Sequence, residues 1–70
     1  MTFTAVIEID KVTGLYVAVV PGVPGAHTQA PTLDALRANL KEVLELCLEE
    51  DETLRANPPR FVGVQQIEIA

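Results

Sequence analysis

The chain predicts a two-layer α+β fold of the order β-β-β-α-β, with one helix packed on a mixed four-stranded sheet in spatial order 3-2-1-4. Three observations carry this expectation: a two-residue alternation from Phe3 to Asp10, a proline- and glycine-punctuated stretch from Pro21 to Gly25, and an apolar recurrence every three or four residues from Leu33 onward. The first is the period of a strand, the second that of a tight connection, and the third that of an amphipathic helix.

Phe3, Ala5, Ile7 and Ile9 alternate with Thr4, Val6, Glu8 and Asp10, which gives a first strand with one apolar and one more polar face. Asp10-Lys11-Val12-Thr13-Gly14 carries turn chemistry, with Gly14 free to take positive φ, so the chain reverses there into a hairpin. Leu15 to Val20 is apolar at odd and even positions alike, so both faces of the second strand call for cover. Pro21-Gly22-Val23-Pro24-Gly25 cannot extend that strand, because two prolines remove ladder donors. Ala26 to Gln29 is a short third strand, closed by Ala30-Pro31.

Thr32 stands where a helix cap belongs, and Asp34 in the first turn favours the positive end of the helix dipole. From Leu33 to about Glu52, Leu33, Leu36, Leu40, Val43, Leu44 and Cys47 form the apolar stripe, widened by Leu46, Leu48 and Leu54. Asn57-Pro58-Pro59 ends the helical region. Phe61 to Ile69 reads as a last strand, although Val62/Val64 and Ile67/Ile69 fall on opposite parities and imply a bulge near Gln65-Gln66. A right-handed crossover through the helix places this strand beside and parallel to the first. One helix covers only one face of such a sheet, and a second covering element is then expected from another copy or a partner.

Seventy residues make one domain, 1–70, with no linker or repeat. A chain of this size buries only about 60% of the surface its unfolded form exposes, so self-association is an expected source of added stability. The longest apolar run, Leu15 to Pro21, is far short of the roughly 20 residues that a membrane span requires. The opening residues lack a basic secretory n-region and there is a single cysteine, both of which suit a reducing cytoplasm.

Ten acidic residues stand against five basic ones, for a net charge of −5. Lys11, Arg37, Lys41, Arg55 and Arg60 form no obvious patch, so direct nucleic-acid binding is not expected. Glu42, Glu45, Glu49, Glu50, Asp51 and Glu52 fall within one short stretch. Such a run is ordinarily a solvated helix face; it is also the kind of field that steers a basic protein.

Catalytic chemistry finds little support. Cys47 falls on the buried stripe, His27 suits a surface strand position, and one His with one Cys cannot supply the three or four converging ligands of a metal site. No metal or cofactor is expected. Glu8, Asp10, Asp34 and Asp51 could assemble a two-metal nuclease site only if they converged, yet Asp10 suits the turn, Asp34 the helix start and Asp51 the helix end. The Pro21 to Gly25 stretch has no lysine or hydroxyl at the offset of a phosphate loop.

Tyr16-Val17-Ala18-Val19-Val20-Pro21-Gly22-Val23-Pro24-Gly25-Ala26-His27-Thr28, followed by Thr32-Leu33-Asp34 and Ala38-Asn39, resembles the signature of the HicB-like antitoxin family. The match comprises a Tyr-containing strand, a Pro-x-x-Pro-Gly turn, a short strand and a Thr-capped helix, and it covers most of the chain. The resemblance implies a degenerate ribonuclease-H-like half domain that binds and blocks a small basic toxin, an mRNA-cleaving ribonuclease. Two positions depart from the pattern: Gly22 replaces an acidic residue common there, and Ala30-Pro31 replaces a glycine before the capping Thr. Many members continue into a DNA-binding domain; with the sequence ending at Ala70, autorepression through such a domain is not expected.

The leading expectation is therefore a non-catalytic binding module, antitoxin-type, that neutralises a small basic mRNA-cleaving toxin and self-associates. Tyr16 and the loop residues Pro21, Gly22, Pro24 and Gly25 are the expected recognition elements, with Glu49, Glu50, Asp51 and Glu52 as steering charges. For Tyr16, packing in a core or a dimer is the competing role. Two alternatives stay open: a homo-oligomeric protein with no toxin, and a residual metal-dependent nuclease using Glu8, Asp10 and Asp34.

Overall fold

The computed structural model describes residues 1–70. Strands Val6–Ile9 (β1), Tyr16–Val19 (β2) and His27–Ala30 (β3) form an antiparallel sheet in the order β1-β2-β3, followed by helices Leu33–Glu50 (α1) and Thr53–Ala56 (α2). No helix is long and apolar enough to cross a membrane.

The first hairpin is set by Asp10. Its carboxylate Oδ1 accepts the Val12 N–H at 2.8 Å and the Thr13 N–H at 3.4 Å, while Gly14, at φ 73°, returns its own N–H to the Asp10 carbonyl at 2.7 Å. This local satisfaction of turn donors fixes the register, with Ile9 opposite Tyr16 and Ile7 opposite Ala18. In β3, Thr28 lies opposite Ala18 and Ala30 opposite Tyr16. Because side chains alternate across a strand, Ile7, Ile9, Tyr16, Ala18, Thr28 and Ala30 share one face, and Val6, Glu8, Val17, Val19, His27 and Gln29 share the other.

The first of these faces receives the helix. Thr32 caps α1, its Oγ1 accepting the Ala35 N–H at 3.1 Å, and Leu36, Leu40 and Leu48 are buried against Ala18, Val20, Ala26 and Ala30. The small residues let helix and sheet approach closely. Helix α1 lies chiefly over β3 and to a lesser degree over β2. Strand β1 falls outside its footprint, so Ile7 and Ile9 remain 50% and 58% exposed although they point to the helix side. Leu33 and Leu46, expected on the buried stripe, are exposed, whereas Leu48 is a core residue.

The long helix ends at Glu50, two residues before the expected limit, with Asp51 as its C-cap. Asp51 accepts the Thr53 N–H at 3.0 Å and the Thr53 hydroxyl on its Oδ1, a local turn that leads into the short α2. The break turns Leu54 back into the core at 8% exposure. Asn57 closes α2, its N–H donating to the Thr53 carbonyl at 2.7 Å.

The expected mixed four-stranded sheet of order 3-2-1-4 is not formed. The sheet has three strands and is wholly antiparallel, and Phe61 to Ile69 makes no strand. The physical reason lies in two places. A crossover returns the chain over the sheet to the far side of β1, and α1 packs chiefly on β3 and less on β2, at the opposite edge. The change of parity at Gln65-Gln66 also prevents one straight pairing from turning Val62, Val64, Ile67 and Ile69 to a common side. All four are exposed, at 94%, 72%, 76% and 89%. The radius of gyration, 13.5 Å, accordingly exceeds the roughly 11 Å of a compact 70-residue domain.

Only nine of the 70 residues are buried, and Leu36 is the one large side chain that is fully enclosed. A core this thin leaves little margin against chain entropy.

Candidate functional site

The turn after β2 is built inward from its middle. Val23 is buried at 5% exposure, and its N–H donates to the Val20 carbonyl at 3.2 Å while its carbonyl accepts the Ala26 N–H at 3.1 Å. Val23 thus pins the loop to the core and leaves Pro21, Gly22, Pro24 and Gly25 on the outside. Gly22 has φ 84°, a left-handed conformation that disfavours a side chain. A Cβ built there would stand 2.6 Å from Pro59 Cβ, so the Pro58-Pro59 segment rests directly on this glycine.

The acidic stretch lies at the same end of the molecule. Helix α1 runs back from the Ala30 end of β3, and the Cys47 Sγ–H meets the Pro24 carbonyl at 3.8 Å. Glu49, Glu50, Asp51 and Glu52 follow immediately and are all exposed. The last turn of α1 contains no basic residue, so Glu49 and Glu50 add charge to the negative end of the helix dipole. Such an arrangement opposes helix stability and concentrates a negative field beside the Pro21–Gly25 loop.

Tyr16 is not part of this constellation. It begins β2 while Pro21 lies beyond the other end, roughly 16 Å away along a strand of about 3.3 Å per residue. Its side chain is half-buried and packs against the core, opposite Ala30, on the helix face. The structure therefore brings the loop and the acidic turn together and leaves Tyr16 apart.

The carboxylates considered for metal chemistry are not assembled. No group of three or more His, Cys, Asp or Glu side chains is placed to hold an ion. Asp10 is engaged in the hairpin, Asp51 accepts the Thr53 N–H at the turn between α1 and α2, and Glu8 is exposed on the face of the sheet away from α1. His27 is exposed and Cys47 half-buried.

Sequence reasoning did not single out two surfaces that the structure brings forward. One is a groove in which Phe3, Val6 and Gly22 face Pro59 and Phe61. The other is the outer edge of β1. Its signal in the sequence is the pair Ile7 and Ile9, whose exposure could be read only after the helix footprint was known.

A three-stranded antiparallel sheet under one long helix, with an acidic turn beside a proline-glycine loop and no converged catalytic group, defines a small two-layer α+β protein. Relatives give it a family. The chain is 51% identical over 69 residues to a UPF0150 protein of Thermotoga maritima, covering 96% of this chain and 88% of that one. It is 45% identical over 69 residues to a UPF0150 protein of Archaeoglobus fulgidus, covering 99% and 96%, and 38% identical over 65 residues to one of Synechocystis, covering 93% and 90%. The chain belongs to the UPF0150 family. No family model matches it. No solved structure matches it either.

Proposed function

We propose that the protein is a non-catalytic, HicB-like binding module of the antitoxin type, which docks on a small basic mRNA-cleaving protein and neutralises it. The observation that carries the reading is the placement of Glu49, Glu50, Asp51 and Glu52 around the break at the negative end of α1, next to the exposed loop Pro21–Gly25. Uncompensated acidic residues at a helix C-terminus cost stability, and a cost of that kind is expected where the field itself is useful. The loop supplies a rigid, shape-defined contact and the carboxylates supply steering toward a cationic surface. Tyr16 acts as a packing residue in this reading.

Co-expression with the product of the adjacent reading frame tests it. Relief of that product's growth arrest, with co-purification that weakens as salt is raised, supports the proposal. Absence of relief and of any complex on a sizing column would leave a second reading, a self-associating protein without a toxin. The uncovered apolar side chains Ile7, Ile9, Val62, Val64, Ile67 and Ile69 favour that alternative. Incubation with labelled RNA and Mg²⁺ or Mn²⁺ addresses catalysis: cleavage abolished by Glu8→Gln would overturn the non-catalytic assignment.

A further inference from the structure

Backbone accounting at β1 leaves one side open. The Asp10 N–H donates to the Leu15 carbonyl at 2.9 Å, and in an antiparallel ladder the residues that face a given neighbour alternate. Glu8 and Val6 therefore direct their peptide groups to β2, and Ile7 and Ile9 direct theirs outward, where the sheet ends. The edge is lightly protected: Val6–Ile9 holds no proline or lysine, its one charged side chain is Glu8, and no helix or strand covers it. Ile7 and Ile9 add half-exposed apolar side chains along it.

The same molecule holds a segment that matches such an edge. Beyond Pro59 the residues Phe61 to Ala70 donate no backbone hydrogen bond within the chain, contain no further proline, and have Glu68 as their one charged side chain. Val62 and Val64, then Ile67 and Ile69, each repeat with the spacing of a strand. The segment starts beside Thr4 and Val6, held there by Pro59 on Gly22, and then leaves its own sheet. Ten extended residues reach about 33 Å, well past the roughly 13 Å of β1.

We propose that the protein assembles with a second copy of itself by reciprocal exchange of this segment, Val62–Ile69 of each copy adding to the open β1 edge of the other. The exchange satisfies the outward peptide groups of Ile7 and Ile9 and covers their side chains, and it takes Ile67 and Ile69 out of water on the same side, the change of parity at Gln65-Gln66 leaving Val62 and Val64 on the opposite face. An isologous arrangement follows, because each copy both donates a segment and offers an edge. This inference goes beyond the docking reading: the partner is a second copy of the chain and the contact is made by other residues. The acidic end of α1 plays no part in it.

The test is hydrogen exchange read by NMR on the full-length chain, with the mass measured by sedimentation under the same conditions. A dimer in which the Ile7 and Ile9 amides exchange on the order of 100-fold more slowly than in an otherwise folded monomer is expected. The reference is the full-length double variant Ile67→Asp/Ile69→Asp, expected to be monomeric with fast Ile7 and Ile9 amides. Retained protection of the Val20 amide, which is bonded to the Ala26 carbonyl, shows that the variant is folded. A single-chain mass for the natural protein, or a dimer in which Ile7 and Ile9 still exchange freely, overturns the proposal. Capture of a basic partner by such a protein would leave the docking reading standing, so the two can fail separately.

Discussion

Gly22 and Pro59 are in contact across the end of the sheet, with 2.6 Å between the position of a Gly22 Cβ and the Cβ of Pro59. The relationship ties the loop after β2 to the root of the distal segment. Gly25 has the same φ, 84°, but nothing within 4 Å of a built Cβ. Gly25→Ala is therefore expected to cost only the left-handed backbone penalty, about 1–2 kcal/mol, and Gly22→Ala to cost measurably more. Urea unfolding of both variants checks this. Pro59→Gly in the Gly22→Ala background should remove the excess and leave the backbone part; equal costs for the two alanine variants would show that Pro59 simply moves aside.

The thin core makes Leu36 the most sensitive position in the helix. Leu36→Ala is expected to destabilise by about 2–5 kcal/mol, enough to unfold much of a domain this small, whereas Leu33→Ala, at a 53% exposed site, should change stability little. Thermal unfolding followed by circular dichroism distinguishes them.

The Thr32 hydroxyl makes a single defined bond, accepting the Ala35 N–H at 3.1 Å. Thr32→Ala should lower stability by about 1 kcal/mol and Thr32→Ser by much less, since serine keeps the accepting oxygen. A serine variant as weak as the alanine variant would place the contribution of Thr32 elsewhere than in its hydroxyl.

Glu50 closes α1 at the negative end of its dipole. Glu50→Lys is expected to raise stability by about 0.3–1 kcal/mol at low salt, with the gain shrinking as salt is added. The same change should slow association with a basic protein partner. Stability measured at two ionic strengths, together with stopped-flow association, separates these effects. Unchanged association would remove Glu50 from the steering surface.

Local chemistry was legible in the sequence wherever one residue settles its own neighbourhood. The Asp10–Gly14 hairpin, the Thr32 cap and the Leu36/Leu40 stripe follow from turn donors, capping and periodicity alone. The second and third strands were readable within a residue of their observed limits, whereas the first begins at Val6, three residues after the expected start at Phe3. The fourth was not, because strand periodicity reports that a segment can pair and not where a partner edge lies. Phe61 to Ile69 has the alternation, yet its pairing depends on how far α1 extends over the sheet, which is a tertiary quantity. The extent of the helix stripe was misjudged at Leu33 and Leu46 for a related reason: a wide apolar stripe does not say which part of it meets a narrow sheet. At the candidate site, the loop and the acidic run were visible as separate motifs. Their adjacency came from the direction of α1, and the separation of Tyr16 from them came from its place at the other end of β2.

Sedimentation equilibrium of the purified full-length protein bears most directly on the view that its surplus apolar surface exists to dock. A mass above that of one chain, falling toward it on dilution, is the expected result. A lone chain at every concentration, with Ile7, Ile9 and the Val62–Ile69 side chains remaining in water, would contradict it.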